Sequence, residues 1–333
     1  MDNIDSPIED SGDSEDLELT ITSEDKAQFK RLDLLLTHKF PQFSRTFLKN
    51  LFEDGMITKE EEGSLSLNKV PAVGTKIIID VPPPIPDQAI AENLPLDILY
   101  QDDDIIIVNK AAGMVTHPAP GNYTGTLVNA VLFHCPDLKG IGNVKRPGIV
   151  HRLDKGTSGV MVVAKSQAAH EKLVSMFSKH DLTRLYECIT FMKPTLLSGK
   201  VDSTIGRSPN NRLKMGANVK NGKKSLTFYK VIKSFHHHAH IECKLETGRT
   251  HQIRVHMSQI LHCPILGDET YGNISSHKKT APEALKKILD IHPYPFLHAK
   301  VLKFNHPITG KLMDFEVPPP PLFREALAIL ESE

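Results

Sequence analysis

Apolar residues recur along this chain with two different periods, and each period predicts an element. Phe47, Leu48, Leu51 and Phe52 share one helical face behind Ser44, whose hydroxyl suits an N-cap. Arg45 and Lys49 lie together on another face, and Gly55 supplies a stop. A short helix–turn–helix over residues 31–54 follows, with order beginning near Phe29. Lys76–Val81 (KIIIDV) reads as a strand, and Val81-Pro-Pro-Pro-Ile-Pro86 cannot continue a sheet, so a stiff linker and a domain boundary are expected there. From Leu96 onward, short runs rich in Ile and Val at 105–108, 159–164, 226–232 and 240–245 predict strands. Two helices stand among them. Ser166 caps one, with Ala169, Leu173, Met176 and Phe177 on a face; the other starts near His251, with Ile253, Met257, Ile260 and Leu261 at helical spacing. Helices and antiparallel strands in irregular order argue for the α+β class over a doubly wound sheet. There is no internal repeat and no glycine-rich phosphate loop.

The 333 residues accommodate a large domain and a smaller one. The pattern divides them into an acidic tail (1–25), a small N-terminal domain (26–81), a linker (82–94) and a main domain (95–333). Composition is ordinary for a globular protein and names no function. Charge is more informative. Lys and Arg number 40, as do Asp and Glu, yet residues 1–25 hold ten of the acids and no Lys or Arg. The rest of the chain therefore carries 40 basic against 30 acidic residues, which suits a polyanionic partner, with the tail read as a disordered, solvated extension. No apolar run is long enough to span a bilayer, and the N-terminus is acidic where a signal peptide is basic, so a cytoplasmic protein without a membrane partner is expected. Cys135, Cys188, Cys243 and Cys263 are far apart with no Cys-x-x-Cys pair, and read as reduced core thiols.

The densest chemistry lies in Arg146-Pro-Gly-Ile-Val-His-Arg-Leu-Asp-Lys-Gly-Thr-Ser-Gly159, just ahead of an apolar strand. Loops at strand ends are where scaffolds commonly place catalysis. Arg152 and Lys155 flank Asp154 and are expected to keep it ionised when substrate excludes water, so that it serves as nucleophile or base. The plain structural alternative is a turn in which Asp154 pairs with Arg152 and Ser158 caps. A triad of Ser158, His151 and Asp154 is a third reading, disfavoured because nothing resembles a nucleophile elbow and three members within eight residues are awkward to align.

His151-Arg-Leu-Asp-Lys-Gly-Thr-Ser-Gly159 resembles the signature of the pseudouridine synthase family that modifies large-subunit ribosomal RNA and some tRNAs. Pro95-Leu-Asp-Ile-Leu-Tyr-Gln-Asp-Asp-Asp-Ile-Ile-Ile-Val-Asn-Lys110 and Gly113-Met-Val-Thr-His-Pro118 resemble that family's opening strands. Leu245-Glu-Thr-Gly-Arg-Thr-His-Gln-Ile-Arg-Val-His256 and Gly267-Asp-Glu-Thr-Tyr-Gly272 resemble its third motif, and Leu297-His-Ala299 with His306-Pro307 its closing strands. The matches run in order across residues 95–321. Ahead of them, Arg31-Leu-Asp33, Ser44-Arg45 and Gly55 resemble the small RNA-binding module of ribosomal small-subunit protein four, although Met56-Ile-Thr-Lys-Glu-Glu-Glu-Gly63 departs from that module's usual turn and is acidic. In the main domain, Leu261 stands where glycine is common and Tyr294 where arginine is common.

The resemblance implies an isomerisation of uridine without cofactor or metal, on a catalytic domain with a mixed, mainly antiparallel sheet. It implies that Asp154 is the catalytic aspartate and that Arg152 enters the RNA stack as the target base leaves. It implies that Tyr186 stacks on the uracil, that Ile253 packs on the uracil's other face, and that Arg254 pairs with Asp154. Arg249 is the rival for that pairing, since sequence does not orient either arginine. Arg31, Arg45 and Lys49 are the module's candidates for RNA contact. Arg207, Arg212 and Lys214, with Lys220, Lys223 and Lys224, form the densest basic stretch and are candidates for phosphate contact. The expected partner is a stem-loop of large-subunit (23S) rRNA, with a tRNA or another rRNA site as the alternative; no oligomer is implied. His236-His-His-Ala-His240 sits where a tight hairpin is expected and lacks carboxylate or cysteine ligands, so no metal is expected. A pyrimidine deaminase is disfavoured by the absence of His-x-Glu and Pro-Cys-x-x-Cys, and a non-catalytic RNA-binding or assembly factor is the remaining rival.

Overall fold

Leu17, Leu19 and Ile21 alternate with polar residues, and in the computed structural model this alternation forms a strand, β1 (Glu15–Thr20), where a disordered tail to residue 25 is expected. The structure describes residues 15–60, 64–81, 89–119, 122–138, 141–143, 146–209, 211 and 214–332; the acidic residues before 15, most of the proline run and Arg212 lie outside them. Order before Phe29 has a physical reason. Ile21 is buried in an apolar core on which Leu17 and Leu19 pack, and Thr22 and Asp25 cap the next helix reciprocally. Asp25 is itself buried and paired with Lys39 at 2.8 Å. Acidic composition hid a period-2 pattern.

The chain divides into two compact units, Met1–Ile85 and Pro86–Glu333. In the first, helices α1 (Ser23–Gln28), α2 (Leu32–Lys39) and α3 (Arg45–Glu53) accompany strands β2 (Ile57–Lys59) and β3 (Lys76–Val81). β3 is the centre of an antiparallel sheet ordered β1-β3-β2. Leu32, Leu35 and Leu36 of α2 and Leu48 and Leu51 of α3 meet Ile77 and Ile79 in one core. Ser44 caps α3 by accepting from the Phe47 N–H, and Gly55 turns out of it with φ +78°. Asp33, buried at the start of α2, accepts from both Arg31 (Nη2, 2.9 Å) and Arg45 (Nη2, 2.8 Å). The bond from Arg31 foremost, then that from Arg45, holds its carboxyl at about 2 against the opposing effect of burial. A carboxyl held below its unfolded value stabilises the fold above that unfolded value, and the contribution disappears as pH falls through the folded one. Asp33→Asn is therefore expected to destabilise this unit by about 1–2 kcal/mol at pH 7, allowing for the solvent around both arginines. The difference from wild type in urea unfolding should shrink between pH 4 and pH 2; a constant difference would contradict it.

The second unit holds β4 (Asp97–Gln101), β5 (Ile105–Lys110), α4 (Leu127–His134), β6 (Gly142–Asn143), β7 (Arg146–Pro147), β8 (Ser158–Ala164), α5 (Gln167–Lys179), β9 (Thr183–Phe191), β10 (Ser198–Arg207), β11 (Met215–Ala217), β12 (Lys223–Ser234), β13 (His238–Leu245), α6 (Gln252–Val255), α7 (Ile274–Thr280), α8 (Glu283–Ile291), β14 (Leu297–Asn305), β15 (Leu312–Glu316) and α9 (Pro321–Glu331). Among the described residues the large sheet is ordered β11-β10-β12-β13-β9-β14-β8-β5-β4, with β15 on β14. All its pairings are antiparallel except β8 with β14. The α+β expectation, with a mainly antiparallel sheet, is met. Residues 89–94, expected as linker, pack on this unit: the Asn129 amide donates to the Ile90 carbonyl at 2.7 Å, and Glu92 accepts from the Gly125 N–H.

Gly159 sits at φ +121°, and a Cβ there would lie 2.2 Å from the Ala299 carbonyl oxygen. Only glycine permits that approach of β8 to β14, which anchors the end of the Asp154 loop in mid-sheet. His236 and His237 occupy the turn between β12 and β13, while His240 bonds Glu187 at 3.1 Å. Among the described residues no group of three His, Cys, Asp or Glu is disposed to hold a metal ion. No helix among them is long and apolar enough to cross a membrane.

Candidate active site

The Asp154 loop leaves the sheet just before β8 and is tied down by backbone groups. Leu153 offers its carbonyl to the buried Thr116 hydroxyl at 2.8 Å, Lys155 its carbonyl to the Gly113 N–H at 2.8 Å, and Asp154 its carbonyl to the Thr157 N–H at 3.0 Å. Beneath it lies Lys110, which is fully buried and donates to the carbonyls of Ala111 and Met114 at 2.9 and 2.8 Å. Burial lowers that ammonium to about 7, with the charge of Asp154 opposing. The carboxylate itself is left 16% exposed on the wall of a cleft of about 600 Å³.

The opposite wall comes from α6 and the turn before it. Thr247, Arg249 and Gln252 form a local knot: the Gln252 side chain accepts from the Thr247 hydroxyl (2.7 Å) and the Arg249 N–H (3.0 Å), and donates to Thr227 on β12 (2.9 Å). That knot sets the orientation of α6, which ends after four residues in a π turn over His256–Ile260. Arg254 then points at Asp154, Nη1 to Oδ2, at 3.3 Å. Its other edge is clamped by Asp268, Nε to Oδ2 and Nη2 to Oδ1, both at 2.8 Å. Asp268 has no exposed surface and also accepts from the N–H groups of Thr270 and Tyr271. The Tyr271 ring lies 5.1 Å from the guanidinium carbon. Burial is the largest single influence and works against the charge of Arg254, but the bond to Asp268 together with the charges of Asp268 and Asp154 outweighs it and raises the guanidinium above its ordinary value. A bidentate pair of this kind holds a planar cation in one orientation.

Six of the sequence candidates line the cleft together: Asp154, Tyr186, Arg152, Arg249, Ile253 and Arg254. Tyr186 and Ile253 are 7% and 4% exposed and present apolar surface to the cleft. Burial pushes the Tyr186 phenol up, Arg184 pulls it down and Asp154 raises it, so the hydroxyl keeps its proton at neutral pH. Arg249 does not reach Asp154; its Nε donates to the Lys224 carbonyl at 3.0 Å. Nor is the flanking pair engaged as expected. Arg152 is exposed and unpaired with Asp154, and Lys155 reaches Asn122 at 3.3 Å. The guanidinium beside the carboxylate comes from 100 residues further on.

The triad reading is overturned. The His151 ring accepts from the Val162 N–H at 3.1 Å and stacks on Phe177, while Ser158 bonds His298 at 2.9 Å. Arg207 ends β10 and Lys214 precedes β11, so both belong to the β10–β11 hairpin and not to the cleft lining. In the first unit Arg31 and Arg45 share Asp33, and Lys49 lies 3.4 Å from Glu53 on the surface of α3. Sequence reasoning missed Asp268, Tyr271, His251, Lys110 and Arg184. All lie in or beside stretches that the sequence singles out, Arg184 two residues before Tyr186, yet nothing local says that Asp268 would meet Arg254 or that Arg184, 7% exposed in the cleft wall, would spend its Nη2 on the Glu246 carbonyl.

Comparison with known proteins bears on this arrangement. Residues 104–259 match the family model described as RNA pseudouridylate synthase. The chain is 44% identical over 296 residues to a ribosomal large subunit pseudouridine synthase D of Zymomonas mobilis, covering 87% of this chain and 90% of that protein. It is 39% identical over 320 residues to an uncharacterised RNA pseudouridine synthase of Synechocystis, covering 95% and 94%. Among solved structures, human RNA pseudouridylate synthase domain containing 4 superposes with a TM-score of 0.53 at 27% identity, over 71% of this chain and 93% of that one. The carboxylate, the clamped arginine and the buried tyrosine thus stand in a chain that belongs to the RNA pseudouridine synthase family.

Proposed function

We propose that this chain converts specific uridines of large-subunit ribosomal RNA to pseudouridine in the Asp154 cleft. The observation that carries the reading is one carboxylate, partly exposed in a cleft and held at 3.3 Å by an arginine whose other edge is locked. Relatives bearing the name ribosomal large subunit pseudouridine synthase D, from Zymomonas mobilis and Vibrio vulnificus, support the choice of RNA. The reaction breaks the N1–C1′ bond, turns the uracil, and joins C5 to C1′; C5 loses a proton and N1 gains one. Atoms and electrons balance without a redox partner, so side chains suffice.

Asp154 supplies the negative charge that the sugar meets as its bond to uracil breaks. Arg254 orients that carboxylate, and the walls formed by Tyr186 and Ile253 sandwich the everted base. Arg152, exposed at the rim, takes the place the base vacates, which offsets an eversion cost of a few kcal/mol. The hairpin carrying Arg207 and Lys214 grips phosphates, together with Arg212. The first unit adds RNA contact through Lys49 and through Arg31 and Arg45, whose charge is partly neutralised by Asp33. Both grips should weaken with salt.

Mapping pseudouridines in the rRNA and tRNA of a strain lacking the gene tests the reading. Defined uridines of large-subunit rRNA should lose the modification, and purified chain should restore them. Loss confined to tRNA would replace the substrate, and no loss in any RNA would remove the activity.

A further inference from the structure

His251 has no part in the roles assigned so far, yet its geometry is unusual. It adopts the left-handed conformation, φ 57° and ψ 20°, which side-chain-bearing residues seldom take. The residue sits at the N-cap of α6 without capping it by its side chain. Strain of this kind persists where surrounding structure over-determines it, and it collects at functional sites. Here it turns the imidazole into the cleft, where the side chain is 22% exposed.

Both ring nitrogens have assigned neighbours. Nδ1 lies 2.7 Å from the Tyr271 hydroxyl, and Nε2 lies 3.9 Å from Oδ2 of Asp154. The Tyr271 oxygen already accepts from the Met215 N–H at 2.8 Å. Its own proton is therefore free to be donated to Nδ1, which leaves the proton of a neutral ring on Nε2. The reverse tautomer would aim a lone pair at a carboxylate. Burial, with Arg254 and Arg152, lowers the imidazole below its ordinary value despite Asp154 and Asp268, so the ring is neutral near pH 7. The 3.9 Å separation is longer than a hydrogen bond, but such contacts commonly shorten when substrate closes a site.

We propose that His251 is a positioning residue for Asp154: its Nε2–H, fixed in that tautomer by Tyr271, closes on Oδ2 beside Arg254 and leaves Oδ1 as the oxygen that meets the ribose. Arg254 also addresses Oδ2, and among the described residues no hydrogen bond is made to Oδ1. Two donors on one oxygen fix the carboxylate plane, and Tyr271 serves both, through its hydroxyl to His251 and its ring beneath Arg254. The inference rests on the pseudouridine synthase reading and adds a residue to it.

The test compares His251→Asn, His251→Gln and Tyr271→Phe in the full chain. Asn tolerates the left-handed turn but is too short to reach Asp154, whereas Gln can place an amide N–H there. Single-turnover rates on a large-subunit rRNA fragment that wild type modifies should fall about 10²-fold for Asn, with RNA affinity within about threefold of wild type. Gln should recover part of the rate, and Tyr271→Phe should lose about tenfold. An unchanged rate for Asn, a loss seen only in RNA binding, or Gln no better than Asn would overturn the proposal. Nitrogen-15 spectra of the His251 ring in the unmutated chain give a readout independent of activity: the proton is expected on Nε2, and a proton on Nδ1 rejects the arrangement. If wild type itself modified no RNA, the parent reading would fail, while the tautomer measurement would still decide this one.

Discussion

Asp154→Asn should abolish pseudouridine formation and leave the protein folded and bound to RNA. The substitution keeps the side chain's volume and an oxygen that accepts from Arg254, but removes the charge and the nucleophilic lone pairs. Losing the central nucleophile or base of a preorganised site costs about 10⁴- to 10⁶-fold in turnover. Release of tritium from RNA labelled at uridine C5 reads the reaction directly, because that hydrogen must leave as the new glycosidic bond is completed. Arg254 retains both bonds to Asp268 in the variant, so no buried charge is stranded and the melting temperature should move little. RNA affinity, which we propose rests on phosphate contacts elsewhere, should stay within about threefold. Tritium release at the wild-type rate would remove Asp154 from the mechanism. Loss of release together with loss of folding would show that the carboxylate serves structure.

Asp268→Asn should be the more destructive change to the fold, although its side chain reaches no substrate. Asp268 is wholly buried and compensates a guanidinium that is itself 7% exposed. Removing one partner of a buried pair commonly costs about 3–5 kcal/mol, because the other charge is left without its counterion. Here the stranded cation has one carboxylate left, Asp154, whose Oδ2 stands 3.3 Å away. Arg254 is therefore expected to swing towards Asp154 and draw it out of line, so that even the folded fraction turns over about 10²-fold more slowly. Urea unfolding of the variant, with single-turnover rates measured at low temperature where it is folded, separates the two effects. Asp268→Glu, which keeps the charge with a longer reach, should regain most of the stability and less of the rate. A stability loss below about 1 kcal/mol would mean that Asp268 and Arg254 do not depend on one another as the geometry requires.

Local pattern was a good guide wherever one stretch of chain decides its own structure. The cap at Ser44, the stop at Gly55, the apolar faces of α3 and α5, the strands at β3, β5, β8, β12 and β13 and the hairpin at His236–His237 all follow from periods, caps and turn chemistry that operate within a few residues. The Asp154 loop was legible for the same reason, since its ionisable residues are contiguous. Local pattern failed at β1, where ten acids in 25 residues suggested disorder and three alternating apolar residues outweighed them once β3 offered a partner.

Long-range pairing was not legible. Nothing in the order of residues tells which arginine of Arg249 and Arg254 meets Asp154, because it does not say where the turn ends and the helix begins; Arg249 falls in the turn and Arg254 on α6, a placement fixed by the Gln252 knot against β12. The flanking Arg152 and Lys155 looked like natural partners, yet covalent proximity on a turn does not bring side chains face to face. Sequence by itself determined most of the elements and singled out Asp154, with Arg152, Tyr186, Arg249, Ile253 and Arg254, as candidates that line one cleft. Tertiary structure decided which charges meet, that Asp268 locks Arg254 and that His251 faces Asp154, because those contacts join segments whose separation along the chain carries no directional information.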